Sequence, residues 1–175
     1  MHCAVIMGAK WSKVVKNGIK CQQKPSASHS MTTGGVSVTG EFQHNLDSKG
    51  RLFIPARLKE ELGSVFYVTL SSEKCLHAYS SEAWAAFSEK VNAMPYIKQQ
   101  KMRPLFAFAA RCELDTQGRI LIPQNLRDYA GLSKNVTVVG SNNHAEFWDS
   151  DTWSGIHAIE MTPENIRAVM EELDF

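Results

Sequence analysis

The 175-residue sequence lacks any apolar run of the roughly 18 residues that a membrane-spanning helix requires. Its longest uncharged apolar stretch covers only residues 104–110. A secretory signal is not indicated either, because the apolar residues 4–8 are too few and precede the nearby lysines instead of following them. Arginine, typical of transit peptides, is missing from residues 1–40. We therefore expect no membrane partner.

Cysteine is scarce, and its spacing excludes the common zinc motifs. No C-x-x-C pair and no Cys/His spacing suited to zinc occurs among Cys3, Cys21, Cys75 and Cys112. Such scattered cysteines favour a reduced, intracellular setting, and Cys112 is predicted to be a small core residue. His44, His77 and His144 share no common metal spacing either. We therefore predict no metal and no cofactor.

The catalytic motifs that a sequence can reveal are also missing. There is no G-x-S-x-G elbow, P-loop, H-E-x-x-H or G-x-G-x-x-G. A nucleophile built from Cys75 or Cys112 with a histidine stays compatible with the sequence, but neither cysteine has a supporting motif. We therefore expect no catalytic residues, no enzyme activity and no small-molecule ligand.

Charge is distributed unevenly along the chain, although the formal net charge is only +1. Residues 1–40 carry five lysines and no acid, and residues 96–134 carry seven basic residues against three acids. Residues 140–175 carry one arginine against eight acids. A basic middle with an acidic end fits a nucleic-acid binder with one cationic face, and equally fits solvated charged surfaces.

Residues 1–39 are predicted to lie outside the folded part of the chain. Residues 24–40 are rich in Ser, Thr and Gly, which bury too little apolar area to offset the entropy of ordering. Three interpretations stay open: a basic tail that attracts phosphates, an inert disordered tail, and translation that begins at Met31. The last two are favoured.

An internal repeat organises the remaining sequence. Residues 46–55, LDSKGRLFIP, recur as residues 114–123, LDTQGRILIP, at an offset of 68. The same offset matches Leu58 with Leu126 and Gly63 with Gly131, and also Lys59 with Arg127. After one inserted residue, Tyr79 matches Trp148 and Trp84 matches Trp153, and both tryptophans are predicted to anchor the core.

Each copy predicts a hairpin, a short helix and two strands. In the first copy, strands 41–46 and 51–54 flank a turn in which Asp47 accepts backbone N–H groups and Gly50 supplies a positive φ. Pro55 then opens a helix over 56–62, and strands follow at 65–70 and 76–79. The second copy repeats this order, with strands at 136–139 and 146–148. Two copies that pair their strands would protect the sheet edges, which predicts a barrel with pseudo-twofold symmetry.

The linker and the C-terminal end are predicted to be helical. Ser81 caps a helix that runs to about residue 94, and a second helix over 97–110 is kinked or broken at Pro104. Residues 155–175 form an acidic helical end, in which Thr162 caps the final helix. That helix has an apolar face, which favours oligomerisation and consists of Ile166, Val169, Met170 and Leu173.

The doubled Asp-x-x-x-Arg tip, followed each time by an aliphatic strand and Ile-Pro, resembles the AbrB/SpoVT superfamily of DNA-binding barrels. The tandem form resembles the MraZ family, as do residues 40–47, 126–132 and 147–149. The resemblance covers about residues 40–153. It implies an α+β fold with two AbrB/SpoVT-like units, 40–88 and 108–154, closed into a swapped-hairpin barrel, with a linker over 89–107 and an acidic helix over 155–175.

The resemblance also implies a function. Members of the family are cytoplasmic, nucleoid-associated regulators that form ring-shaped homo-oligomers. They bind short repeats in double-stranded DNA upstream of their own gene, which heads a cluster for cell division and peptidoglycan synthesis. Autorepression is the expected mode. Residues 1–30 depart from the family, whose members begin a few residues before the equivalent of Gly40, and this favours a start at Met31.

The family's tips contact DNA, which assigns Arg51 and Arg119 to that role. An arginine can bond phosphates or the guanine edge with two hydrogen bonds. Lys49 and Arg57 are further candidates, while Gln117 is the neutral counterpart of Lys49.

Four other tip residues, Asp47, Asp115, Gly50 and Gly118, are expected to form the turns and orient the arginines. Two alternatives stay open: the Asp–Arg pairs are purely structural, or the chain is an antitoxin-like or scaffold module that binds a protein through its acidic end.

Overall fold

The computed structural model describes residues 37–174, in which two similar halves follow one another. The first half contains β1 (Val38–Asn45), β2 (Arg51–Phe53), α1 (Ala56–Leu62), β3 (Val65–Leu70), β4 (Cys75–Ser80), α2 (Ser81–Asn92) and α3 (Tyr96–Ala107). The second contains β5 (Ala110–Glu113), β6 (Arg119–Leu121), α4 (Gln124–Ala130), β7 (Asn135–Asn142), β8 (His144–Asp149), α5 (Ser150–Glu160) and α6 (Pro163–Glu172). Residues 1–39 are predicted from the sequence to lie outside the folded part of the chain, and the first 36 of these residues lie outside the described part of the structure. Within residues 37–174, none of the six helices has the length and apolar character needed to cross a membrane.

The main sheet is antiparallel and interleaves the two halves. Its strand order is β1-β7-β8-β4-β3-β5, while β2 and β6 form a separate two-stranded ribbon. Strand β1 of the first half pairs with β7 of the second, and β5 of the second half pairs with β3 of the first. The hairpin predicted for 41–46 and 51–54 is therefore reduced to one bridge, between Leu46 and Leu52, because both strands find their partners in the other half.

Equivalent residues of the two copies face each other at two places. Leu52 pairs with Ile120 in the β2–β6 ribbon, and the two are related by the offset of 68. His77 pairs with Glu146 between β4 and β8. These two are also equivalent residues of the two copies, because the offset is one residue longer after the insertion in the second copy. A residue that pairs with its own counterpart marks a local twofold relation between the copies.

The mixed α/β class is confirmed, but the strand pairing of the described residues does not close into a barrel. Strands β1 and β5 lie at the two edges of the six-stranded sheet. Among the described residues, the short ribbon strands form a ladder of three residue pairs with each other and, apart from the isolated Leu46–Leu52 bridge, are not paired with the main sheet, so they do not connect β1 to β5.

The core lies on one face of the sheet, because residues alternate in orientation along a strand. Fully buried residues from the central strands include Phe66, Val68, Leu76 and Phe147. The ribbon and the residues that follow its strands add a second layer of buried side chains: Leu52, Ile54, Ile120 and Ile122. Helices α1 and α4 cover this layer with Leu58, Leu62, Leu126 and Ala130. Cys112 belongs to this cluster, as predicted.

The opposite sheet face carries aromatic residues. Trp153 of α5 is buried and packs on Trp148, with ring centroids 5.6 Å apart, which confirms its role as an anchor. Its counterpart Trp84 of α2 is only half-buried, and it stacks on Tyr67 at 5.3 Å. The two copies thus use equivalent tryptophans to attach helices to the same face.

Two helix details differ from the sequence prediction, and a third agrees with it. Ser80, not Ser81, caps α2 by accepting a hydrogen bond from Ala83 N at 3.1 Å. Pro104 lies inside α3 without ending it, and the last turn is held because Thr69 Oγ1 donates to the carbonyl of Leu105. The C-terminal end forms two helices, α5 and α6. Thr162 caps α6, as predicted, by accepting a hydrogen bond from Asn165 N at 3.3 Å.

Candidate nucleic-acid interface

The first tip is a turn organised by one carboxylate. Asp47 Oδ1 accepts hydrogen bonds from the backbone N–H groups of Lys49 and Arg51, both at 2.9 Å. Asp47 Oδ2 accepts from Arg51 Nε at 2.6 Å. Gly50 N donates to Asp47 O at 2.9 Å, with φ of +77° at the glycine. The aspartate therefore both closes the turn and fixes its arginine.

The second tip repeats this arrangement with one extra bond. Asp115 Oδ1 accepts from the N–H groups of Gln117 and Arg119, both at 2.9 Å. Asp115 Oδ2 accepts from Arg119 Nε at 2.9 Å and from Arg119 Nη2 at 2.8 Å. Gly118 has φ of +75°. The structural pairing that the sequence left open is thus present in both tips.

The ribbon places the two tips side by side. Ile54 N donates to Gly118 O and Ile122 N donates to Gly50 O, each at 3.0 Å. Arg119 Nη1 also lies 3.9 Å from Asp47 Oδ2. Residues 47–51 and 115–119 therefore form one continuous surface, here called the tip face.

The two arginines differ in the groups they leave available. In the described residues, Arg51 is bonded to Asp47 through Nε alone, which leaves both terminal nitrogens without a hydrogen-bond partner. Arg119 commits Nε and Nη2 to Asp115. Their side chains are 32% and 24% exposed, so both can contact a ligand, with Arg51 the more accessible.

Two further cations adjoin the tip face, each from the helix of the opposite copy. A β-carbon at Gly50 would lie 2.5 Å from Arg127 Cζ, and one at Gly118 would overlap Lys59 Nζ. Arg127 is fixed by a 3.0 Å bond from its Nε to the carbonyl of Ile122. The repeat offset matches these two cations, but sequence reasoning did not assign them to the site, because their contact with the tips arises only in the folded chain.

The tip face and its two neighbours carry net positive charge. Hydrogen bonds from the side chain and backbone of Arg119 lower the pKa of Asp115 to about 2, and the backbone and side chain of Arg51 lower the pKa of Asp47. Both carboxylates are therefore ionised at neutral pH. Five cations, Lys49, Arg51, Lys59, Arg119 and Arg127, face these two anions, which gives +3.

Arg57 is not brought to the tip face by the contacts it makes. Its side chain is 61% exposed, bonds Thr39 Oγ1 at 2.7 Å and lies 3.6 Å from Glu61 Oε1. The charge of Arg57 is thus partly balanced by Glu61 of the same helix. The role of Arg57 in DNA contact stays a prediction.

Strand pairing assembles a histidine cluster that sequence spacing missed. His77 of β4 and His144 of β8 have ring centroids 4.2 Å apart, and Glu146 lies beside them. Burial, followed by the proximity of His144, lowers the pKa of His77 to about 4. His44 lies elsewhere, 5.2 Å from the Phe53 ring, where burial and then Lys59 lower its pKa. The cluster follows from the register in which β4 and β8 pair. The spacing of these residues along the sequence does not reveal that register.

Both halves of the chain match one protein family. The family described as "MraZ protein, putative antitoxin-like" matches residues 38–104 and again residues 105–170. Proteins named "Transcriptional regulator MraZ" are similar over most of their length. The one from Desulforamulus reducens is 43% identical over 135 residues, covering 73% of this chain and 95% of the relative. The one from Acetivibrio thermocellus is 43% identical over 138 residues, covering 77% and 96%.

These relatives are named as regulators of transcription and not as enzymes. A third, from Carboxydothermus hydrogenoformans, is 44% identical over 118 residues, covering 66% of this chain and 82% of the relative. The double match of the family and the extent of this identity show that the chain belongs to the MraZ family of transcriptional regulators.

Proposed function

We propose that this protein binds double-stranded DNA through the tip face and regulates transcription. The observation that carries the proposal is the pair of adjacent tips, in which each arginine is oriented by an aspartate. Pre-oriented guanidinium groups lose little freedom on binding and match the spacing of phosphate oxygens or the guanine edge. The cations around the tips supply the attraction that all DNA binding requires.

Arg51 is the main contact in this proposal. Both of its terminal nitrogens are available, and it shares its tip with the exposed Lys49, which suits a phosphate. Arg119 and Gln117 make the weaker contact, because Arg119 is held by a second bond and Gln117 is neutral. Base contacts at the first tip would give sequence preference, and backbone contacts around both tips would position the protein on the duplex.

The regulated sequence is proposed to be a set of short repeats upstream of the protein's own gene, at the head of a division and cell-wall gene cluster. The protein would act there as an autorepressor, in the cytoplasm and associated with the nucleoid. Support comes from the relatives, which are named transcriptional regulators. A reporter fused to the upstream region should rise when the gene is deleted, and a fall would contradict autorepression.

A homo-oligomer, proposed to be ring-shaped, would present several tip faces to successive repeats. The exposed apolar residues of α6 support an association of this kind, since Ile166 is 48% and Val169 54% exposed. Sedimentation velocity on the full chain measures the state directly. A monomer at micromolar concentration would contradict the oligomer without affecting the role of the tip face.

A mobility-shift titration tests the DNA contact. Upstream DNA is titrated with wild type, Arg51→Ala and Arg103→Ala at fixed salt, against scrambled competitor DNA. Arg51→Ala should bind about tenfold more weakly or worse, as expected for loss of one bidentate contact. Arg103 is an exposed arginine of α3, so Arg103→Ala should bind like wild type.

Circular dichroism must show that Arg51→Ala is folded. Equal binding by Arg51→Ala and wild type would overturn the assignment of the tip face. Binding of wild type without preference for its own DNA would instead favour the antitoxin-like or scaffold alternative, with a protein partner at the acidic end.

A further inference from the structure

The face of the sheet opposite the core holds two imidazoles and a carboxylate at the junction of the two copies. Strand β4 runs antiparallel to β8, and His77 and Glu146 are direct partners in the ladder. His144 precedes Glu146 by two residues, so it lies on the same face of β8. All three side chains belong to this face, between the aromatic residues that hold α2 and those that hold α5.

The potential ligand atoms lie close to the spacing that a metal ion requires. One atom from each of His77, His144 and Glu146 lies within 4.8 Å of the others. His144 Nε2 and Glu146 Oε1 are 3.3 Å apart. Bonds of about 2.0–2.1 Å in a tetrahedral zinc site separate neighbouring ligand atoms by about 3.3–3.4 Å. Two of the ligands thus have the required separation, and the His77 nitrogen, within 4.8 Å of both, would have to move closer to join them.

Each of the three side chains is also held by a second polar group. The amide oxygen of Asn143 lies 2.7 Å from His144 Nδ1, and the hydroxyl of Tyr79 lies 3.1 Å from His77 Nδ1. Trp148 Nε1 donates to Glu146 Oε2 at 2.8 Å. An amide oxygen only accepts, so the Asn143 contact favours the His144 tautomer in which Nε2 carries the lone pair. The Tyr79 hydroxyl is able to accept from His77 in the same way, and Trp148 occupies Oε2 of Glu146 rather than Oε1.

One of the ligand atoms is buried without a hydrogen bond. His144 Nε2 is inaccessible to solvent and makes no hydrogen bond of good geometry in the described residues. The side chains of His144 and Glu146 are only 15% and 18% exposed. A buried nitrogen that lacks a partner costs free energy, and a cation placed between it and the carboxylate would remove that cost.

We propose that His77, His144 and Glu146 bind one divalent transition-metal ion per chain, most favourably Zn²⁺. Imidazole nitrogen with one carboxylate suits zinc and its neighbours, whereas Ca²⁺ and Mg²⁺ prefer sites built of oxygen. Three protein ligands leave the fourth tetrahedral position to water. The ion would join β4 of the first copy to β8 of the second, so it would stabilise their pairing. This role is independent of DNA binding.

The test is isothermal titration of the full chain with ZnCl₂, after treatment with chelator. Wild type should bind one Zn²⁺ per chain, and Co²⁺ should give a tetrahedral visible spectrum without thiolate charge-transfer bands. A free Zn²⁺ concentration about 100-fold above the dissociation constant should raise Tm by roughly 5–10 °C. His144→Ala and Glu146→Gln should abolish both effects.

Matched variants locate the site. His157→Ala removes an exposed histidine of α5, and a combined His2→Ala/His29→Ala variant removes the two histidines outside the described residues. Both should bind Zn²⁺ like wild type. Tyr79→Phe keeps the ring packing and removes one outer partner, so it should weaken Zn²⁺ binding about tenfold. This variant keeps the test decisive if a ligand variant fails to fold.

Unchanged Zn²⁺ binding in folded His144→Ala would overturn the proposal. If His144→Ala does not fold, unchanged Zn²⁺ binding in Tyr79→Phe would overturn it instead. Loss of binding in His2→Ala/His29→Ala, or thiolate bands in the Co²⁺ spectrum, would place the ion elsewhere and overturn it equally.

Discussion

Arg119 Nη1 lies 3.9 Å from Asp47 Oδ2, so the arginine of one copy approaches the carboxylate of the other. Asp47 already accepts from Arg51 Nε at 2.6 Å. The first carboxylate therefore influences both arginines, whereas within residues 37–174 Asp115 bonds only the arginine of its own tip. The two tips look alike in sequence but differ in the contacts between their aspartates and arginines.

Substitution Asp47→Asn should lower DNA selectivity more than Asp115→Asn. Removal of the Asp47 charge loosens Arg51 and changes the surroundings of Arg119, while the extra positive charge strengthens binding to any DNA. We expect the ratio of affinities for upstream and scrambled DNA to fall by about tenfold for Asp47→Asn. Competition titrations measure this ratio. Equal losses in the two variants would show that the contact between the tips has no role.

Replacement of the turn glycines should destabilise the fold unequally. Gly50→Ala and Gly118→Ala each force alanine to a positive φ, at a cost of roughly 1–2 kcal/mol. Gly50→Ala must also displace Arg127, which is tied to the Ile122 carbonyl, whereas Gly118→Ala displaces the flexible end of Lys59. The free energy of unfolding in urea should therefore fall more for Gly50→Ala.

Gly155→Ala provides the control for these variants. A β-carbon at Gly155 meets no atom of the described residues within 4 Å, and the residue lies inside α5. Alanine there should leave the stability unchanged or raise it by about 0.5–1 kcal/mol. A larger loss for Gly118→Ala than for Gly50→Ala would contradict the account of the two cations.

The salt dependence of DNA binding should report the asymmetry of the tips. If Lys49 contacts one phosphate, Lys49→Ala should reduce the slope of log K against log salt by about 0.9. Gln117→Lys should increase the slope by a similar amount, because it adds a cation at the equivalent place. Lys101→Ala, on an exposed position of α3, serves as the control and should leave the slope unchanged. An unchanged slope in Lys49→Ala would remove that residue from the interface.

Neighbouring residues of β6 should differ sharply in their contribution to stability. Ile120 is 1% exposed and pairs with Leu52 in the core, whereas Leu121 is 58% exposed. Ile120→Ala should lower the free energy of unfolding by about 2–5 kcal/mol, through lost burial and the cavity that is left. Leu121→Ala should cost less than about 1 kcal/mol. Comparable costs, measured by urea denaturation, would mean that another surface covers Leu121.

Acid should weaken the second tip in a defined pH range. Hydrogen bonds from Arg119 lower the pKa of Asp115 from 3.8 to about 2 in the folded protein. The unfolded chain then binds the proton more readily, so this contribution is complete above about pH 4 and is lost as the pH falls through 2. Between pH 5 and pH 2, wild type should lose stability more steeply than Asp115→Asn. Parallel urea midpoints over this range would refute the coupling.

The sequence predicted the local structure of the tips well, because that structure depends on nearby residues. The turn geometry follows from an aspartate and a glycine three positions apart, and the short helix follows from Pro55 and the leucines behind it. The same pattern in the second copy predicted Asp115 and Arg119 in matching roles. Local chemistry and one repeat offset were sufficient for these features.

Features that depend on pairing between distant segments were not predictable in this way. Strand β1 was expected to pair with β2, but its longer register with β7 gives eight paired positions. The neighbours of the tip glycines, Lys59 and Arg127, and the grouping of His77 with His144 arise from the same pairing. Pro104 was expected to kink or break its helix; the helix continues past it to Ala107, and a tertiary bond from Thr69 to the carbonyl of Leu105 holds the following turn.

The interleaved sheet ties the two copies into one structural unit. Because each edge strand completes the other half, a single copy on its own would need a second, identical molecule, and its two tips would be forced to match. Covalent fusion removes that constraint. Lys49 and Gln117 already differ at equivalent positions, so in the proposed DNA complex one chain would offer different contacts to the two ends of a DNA site.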